Sequence, residues 1–179
     1  MKKYLILVIA LAAYGVLARL MPHSPNFVPI TALALVGGLY LPRKLAYIVP
    51  MAAMLASDLF IGFYHPLVMV SVYGCLLLTT YMGTWAKKHK NVGTIVAITF
   101  ASTILFYFAT NTMVWAFGAL YPRTLAGLLE SYTLALPFFR NSLLSDFFYT
   151  GVLVGGIEAA IYWNKQRHDA KNKIETLAS

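Results

Sequence analysis

Basic residues recur in this chain at near-regular intervals, as Lys2-Lys3, Arg43-Lys44, Lys87-Lys88-His89-Lys90 and a run from Lys165 to Lys173. The stretches between them are apolar, and of fourteen Lys and Arg residues only Arg19, Arg123 and Arg140 fall outside the clusters. Cytoplasmic loops of membrane proteins retain Lys and Arg. With every cluster on that side, the chain crosses the bilayer twice between successive clusters. The pattern therefore predicts an all-α integral membrane protein with six transmembrane helices and both termini cytoplasmic.

Composition excludes the main competitors. The chain is 60% hydrophobic and 11% charged, against about 25% charged residues in an ordinary soluble domain. Its 179 residues leave room for six spans and short loops, forming a single domain with no separate soluble part. The net charge of +8 could suggest a nucleic-acid partner, but the cations stand at membrane boundaries rather than on one patterned face. The N-terminus, MKKYLILVIALAAYGVLARL, resembles a signal peptide but lacks a small-x-small site before polar sequence, so a retained first helix is expected. A single cysteine, Cys75, excludes an internal disulfide and a multi-thiolate metal site.

The expected spans are 4–20, 28–41, 45–63, 67–86, 92–117 and 138–163, followed by a cytoplasmic tail over 164–179. Three prolines between Pro22 and Pro29 forbid a continuous helix there and make an outer loop. The second span is short for a bilayer crossing; it is either extended through the Pro29 region or buried among its neighbours. Gly118 to Pro137 reads as the longest outer connection, in which Thr124 caps a short interfacial helix or lid with Leu125, Leu128, Leu129 and Tyr132 on one face. Gly151, Gly155 and Ala159, four apart, form a small-residue stripe suited to close helix approach. No internal repeat supports a transporter of two inverted halves.

Residues that break the apolar rule collect toward the outer side. Charged groups within spans are costly and usually face an interior cavity. The expectation is an outward-facing cavity drawing on His23, Asn26, Asp58, Tyr73, Asn111, Trp115, Arg140, Asn141 and Asp146. Asp58 is the most informative of these; it reads as a structural ion pair with Arg140 or as a ligand contact, and the two roles are compatible because a paired carboxylate can still accept a ligand hydrogen bond. Cys75 reads as a buried small hydrophobe or as a soft ligand to a metal carried by the substrate. No nucleophile elbow, Walker loop, dinucleotide fingerprint or His-Glu-x-x-His helix is present, so an enzyme is not expected.

The run Pro25-Asn26-Phe27-Val28-Pro29-Ile30-Thr31-Ala32-Leu33-Ala34-Leu35-Val36-Gly37-Gly38, a basic turn, and a helix ending Ser57-Asp58-Leu59-Phe60-Ile61-Gly62 resemble the first half of S-components. These are the substrate-binding subunits of energy-coupling factor (ECF) vitamin transporters. Within that class the chain is most similar to the small solitary cobalamin transporters of the BtuM type. It also resembles a family of uncharacterised bacterial membrane proteins sharing Pro-Asn-Phe-x-Pro and Leu-Pro-Phe-Phe-Arg-Asn. The resemblance implies an S-component-like bundle in the bacterial cytoplasmic (inner) membrane, importing a vitamin-sized ligand, with cobalamin or another corrinoid favoured. It places Cys75 near the substrate cobalt, with Ser71 as the competing counterpart, and His23, Asp58 and Arg140 in the cavity. It implies no cofactor of the protein's own; the partners would be lipids, the ligand and an ATP-driven coupling module. Ala12, Gly15 and Ala18 are spaced by three rather than four, a departure that points to a solitary transporter. The competing expectation is a membrane scaffold that binds a partner helix through the Gly151-Gly155-Ala159 stripe.

Overall fold

The eleven residues ITALALVGGLY decide how the rest of the chain is arranged. They are apolar on every face, and a helix of that kind must be enclosed. At 1.5 Å per residue it is about 16 Å long, roughly half the hydrocarbon thickness. The computed structural model describes residues 2–178, with side chains over 5–170. It is all-helical: α1 (Lys2–Leu20), α2 (Ile30–Tyr40), α3 (Arg43–Ile61), α4 (Pro66–Ala86), α5 (Val92–Phe117) and α6 (Leu125–Ala178). The short segment is α2, and of the two expected outcomes it takes the buried one: Ala32 to Leu39 are all buried. The others surround it: α1 packs on α3, α3 on α4, α4 on α5 and α5 on α6, and α2 touches all five. A Tyr14–Tyr149 edge contact, with ring centroids 6.3 Å apart, brings α1 to α6.

The helices α3 to α6 are each long and apolar enough to cross a membrane, whereas Leu5–Leu20 of α1 and the whole of α2 are shorter. Large apolar side chains such as Ile6, Phe60, Val92, Phe148 and Trp163 stand exposed on the flanks, while Ser57, Asp58, Thr99, Thr103, Ser145 and Asp146 are buried. A soluble monomer rarely exposes that much contiguous apolar surface. Buried hydroxyls satisfy themselves on the preceding turn, as Thr80 on Leu76 O at 2.9 Å and Thr99 on Ile95 O at 2.8 Å.

Successive helices reverse direction, so Arg43-Lys44 and Lys87–Lys90 share one end of the bundle. There Lys87 Nζ donates to Leu41 O at 3.3 Å, and Lys90 pairs with Glu158, which also accepts from Tyr40 OH at 2.6 Å. This is the lysine end; residues 21–29 and 118–124 form the opposite, loop end. The turns carry their own caps: His65 Nδ1 accepts from Leu67 N at 3.3 Å, Asn91 Oδ1 from Thr94 N at 2.8 Å and Thr124 Oγ1 from Gly127 N at 3.1 Å.

Two expectations are corrected. The segment after Thr124 is not a separate lid, because α6 runs unbroken through Pro137. Its first turns lie along α5, where Tyr107 OH donates to Tyr132 O at 2.6 Å and Thr112 Oγ1 meets Tyr132 OH at 2.7 Å. The 26 residues of α5 supply the surface that holds the helix together across the proline. The closest helix approach is also elsewhere. A Cβ on Gly151 or Gly155 would meet nothing within 4 Å, whereas one on Gly83 would lie 2.5 Å from Leu35 O, and one on Gly38 would lie 2.5 Å from Thr80 O. The contact that requires glycine is therefore α2 against α4.

Gly83→Ala is expected to destabilise the protein by about 1–3 kcal/mol through overpacking. Gly151→Ala should be neutral or stabilising by up to about 1 kcal/mol from helix propensity. Melting of the two variants in detergent checks the contrast, and equal melting temperatures would contradict the assigned contact.

Candidate functional site

Two polar centres lie between α2 and the loop end. The first is an ion pair. Arg19, in the last turn of α1, directs Nη1 at Asp58 Oδ1 on α3 at 2.7 Å, at Ser57 Oγ at 2.6 Å and at Met54 O at 3.3 Å. Tyr73 of α4 donates to the other carboxylate oxygen at 2.9 Å. Asp58 is 1% exposed and the Arg19 side chain 14%. A carboxylate so buried needs its charge compensated and its lone pairs occupied, and this cluster does both. Tyr64, between α3 and α4, has its phenol pushed up to about 12 by burial and by the negative charge of Asp58. Asp58 thus takes its ion-pair alternative, but with Arg19 and not Arg140. The helices α3 and α6 share no packing contact, and Arg140 is exposed with no ion pair among the described residues.

The second centre is a cavity. One chamber of about 130 Å³ is lined by Arg19, Asn26, Thr31, Thr103, Ser142 and Asp146, with Val72, Leu76 and Phe106 as apolar walls. A second, of about 110 Å³, shares Asn26, Thr103, Phe106 and Ser142 and extends to Asn111, Tyr107, Phe138 and Phe139. Asp146 is 3% exposed. Thr103 Oγ1 donates to its Oδ2 at 2.7 Å, and the Thr31 hydroxyl approaches the same carboxylate. Unlike Asp58, Asp146 has no cationic partner among the described residues. Residues Ser142 and Asp146 sit one turn apart on α6, which places both on one face.

The rim is built by the proline-rich loop. Asn26 adopts φ 59°, a left-handed conformation that Asn tolerates better than most residues. It is exposed and lines both chambers. The helix α6 holds that loop: Asn141 Nδ2 donates to Pro25 O and Ser145 Oγ to Val28 O, each at 3.0 Å. Phe27 packs on Phe148 and Tyr149 with centroids 6.1 and 5.6 Å away.

Of the residues expected to form the site, Asn26, Asn111 and Asp146 line the chambers. Tyr73 and Asp58 act behind them, fixing the Arg19 that does. Asn141 positions the loop. His23 lies outside, with Nδ1 at 2.9 Å from Ser24 O and Nε2 at 3.3 Å from Arg19 O, where it covers the end of α1. Trp115 donates to Pro122 O at 3.0 Å and closes the α5–α6 turn. Arg140 lines neither chamber. Cys75 is buried with Sγ 4.0 Å from Leu105 O of α5; its neighbour Leu76, not the thiol, reaches the cavity. The residues not anticipated are Thr31, Thr103, Ser142 and Phe106. Spacing carried a signal for one of them, since Ser142 stands four residues before Asp146.

Arrangement and composition together define an all-helical protein with membrane-crossing character and a small polar cavity inside its loop end. By sequence the chain belongs to DUF6580, a family of unknown function, whose model matches residues 1–170. No curated protein and no solved structure matches it.

Asp58→Ala leaves a buried guanidinium without its counter-charge and is expected to cost about 3–5 kcal/mol. The apolar replacement of both partners, Arg19→Met with Asp58→Leu, should recover much of that loss. Unfolding free energies of the single and double variants test the pairing; additive losses would count against it.

Proposed function

We propose that this protein is the substrate-binding subunit of a membrane importer of the S-component type. Its loop end would face outward from the bacterial cytoplasmic membrane, with both termini inside and α2 enclosed within the bundle. The observation that carries this reading is Asp146: a buried carboxylate without an ion-pair partner among the described residues, set in hydroxyls at the wall of a cavity. Ionisable groups inside a bundle mark ligand or ion pathways more often than fold determinants. The ligand is a compact molecule presenting a positive charge or strong donor to Asp146, Thr31, Thr103 and Ser142, and an apolar part to Phe106 and Phe138. Chambers of about 130 and 110 Å³ are below the roughly 300 Å³ at which drug-sized sites begin. That volume supports a ligand smaller than a corrinoid, which would need the chambers to open around it. Entry passes Asn26, and release toward the lysine end requires a rearrangement of the loop-bearing helices, with or without an ATP-driven partner.

A second reading has one observation in its favour. The Gly151-Gly155-Ala159 face is exposed, beside an apolar groove of about 290 Å³ between α5 and α6. It would suit a partner helix in a scaffold. Loss of a native complex on Gly151→Leu/Gly155→Leu, with ligand uptake untouched, would favour it.

Protein purified from cells supplied with mixed vitamins and amines should carry a small molecule identifiable by mass spectrometry. Asp146→Asn should weaken its binding by about 10- to 100-fold, the range for a hydrogen bond to a charged group. Undiminished binding in a folded Asp146→Asn protein would sink the assignment of the site.

A further inference from the structure

At the lysine end, a separate groove of about 480 Å³ opens between the α2–α3 corner and the last turns of α4. Three cations line it: Arg43, Lys87 and Lys88. None of them forms an ion pair among the described residues. The nearest acid in the same region, Glu158, is already held by Lys90 and Tyr40. The chain has only six carboxylates to set against fourteen Lys and Arg residues, and among the described residues none pairs with the cations of the groove.

Its wall is aromatic. Tyr81 and Trp85 line the groove and are 55% and 53% exposed. Below them Leu77, at 41% exposure, continues the same face of α4, since 77, 81 and 85 are four residues apart. Tyr and Trp at such positions mark the headgroup level of a bilayer. Gly38, where α2 and α4 approach too closely for a side chain, also lines the groove. The recess therefore presents charges at the top and an apolar, solvent-facing stripe leading away from them along a membrane-length helix.

We infer that this groove binds the phosphodiester headgroup of an anionic phospholipid, with Arg43, Lys87 and Lys88 on the phosphate and an acyl chain along Trp85, Tyr81 and Leu77. A soluble phosphate would satisfy the cations but would leave the apolar stripe unused. The lipid uses both. Basic recesses at the ends of membrane helices bind acidic headgroups through this combination of charge and depth. The inference is independent of what the loop-end cavity carries.

The test uses the full chain with Trp115→Phe and Trp163→Phe, so that Trp85 is the sole fluorophore, reconstituted in phosphatidylcholine vesicles. Bromine-labelled phosphatidylglycerol at about 10 mol% should quench Trp85 several-fold more than bromine-labelled phosphatidylcholine at the same fraction. Each of Arg43→Ala, Lys87→Ala and Lys88→Ala should lower that preference by about fivefold, the factor for roughly one surface charge. Equal quenching by the two lipids would overturn the inference without reference to any charge variant. Loss of the preference in millimolar inorganic phosphate, with quenching by bromine-labelled phosphatidylcholine unchanged, would overturn the lipid assignment in favour of a soluble anion.

Discussion

The backbone contact between Gly38 and Gly83 is the constraint on which this bundle rests. An eleven-residue helix cannot reach across a bilayer, so it contributes little unless other helices enclose it on all sides. Enclosure at close range requires small residues where the axes meet, because apolar lipid offers no hydrophobic gain for bringing helices together and dispersion contact has to suffice. Gly38 against Thr80 and Gly83, and Gly37 against the carbonyl of Ala46, supply that closeness on two sides of α2. Once α2 is held as a central post, its proline-rich entry is fixed at one end of the bundle. The polar groups of neighbouring helices then converge above its first turn.

Two acidic residues at that level have opposite environments. Asp58 meets a guanidinium at one oxygen and a tyrosine at the other. Asp146 meets threonine hydroxyls and open space. Arg19 connects the two centres, since it pairs with Asp58 and also forms part of the wall facing Asp146. A single arginine thus sets the electrostatic background of the cavity. Arg19 is paired with Asp58, and Asp146 has no ion-pair partner among the described residues.

The number of helices and their approximate bounds were legible from the spacing of the basic clusters and the apolar stretches between them. The enclosure of α2 was legible as one of two outcomes, from its length and its all-round apolarity. The site was legible only in part. Asn26, Asn111 and Asp146 betray themselves as polar residues in apolar surroundings, whereas Thr31, Thr103 and Ser142 do not. Membrane helices contain many hydroxyls that bond only to their own preceding turn, as Thr80, Thr99 and Thr110 do here, so no single hydroxyl advertises a ligand. The partner of Asp58 was misread because depth along the sequence says nothing about which helices are neighbours around the ring. Arg19 and Arg140 both stand at the ends of the spans expected over 4–20 and 138–163, and only packing separates them. Pro137 misled for a related reason: a proline breaks an isolated helix, but neighbouring helices can hold one together across it.

The unbroken course of α6 links the two ends of the bundle. Asp146 and Glu158 stand twelve residues apart on the same rod, about 18 Å at the helical rise. The one proline in α6 lies on the loop-end side of Asp146, not between the two acids. Gly151, Gly155 and Gly156 lie between the two acids, yet the helix is continuous, so Asp146 at the cavity wall and Glu158 of the Lys90–Glu158 pair belong to one element. A ligand bound at Asp146, as proposed above, would sit on the same helix that carries Glu158, the partner of Lys90, at the other end of the bundle.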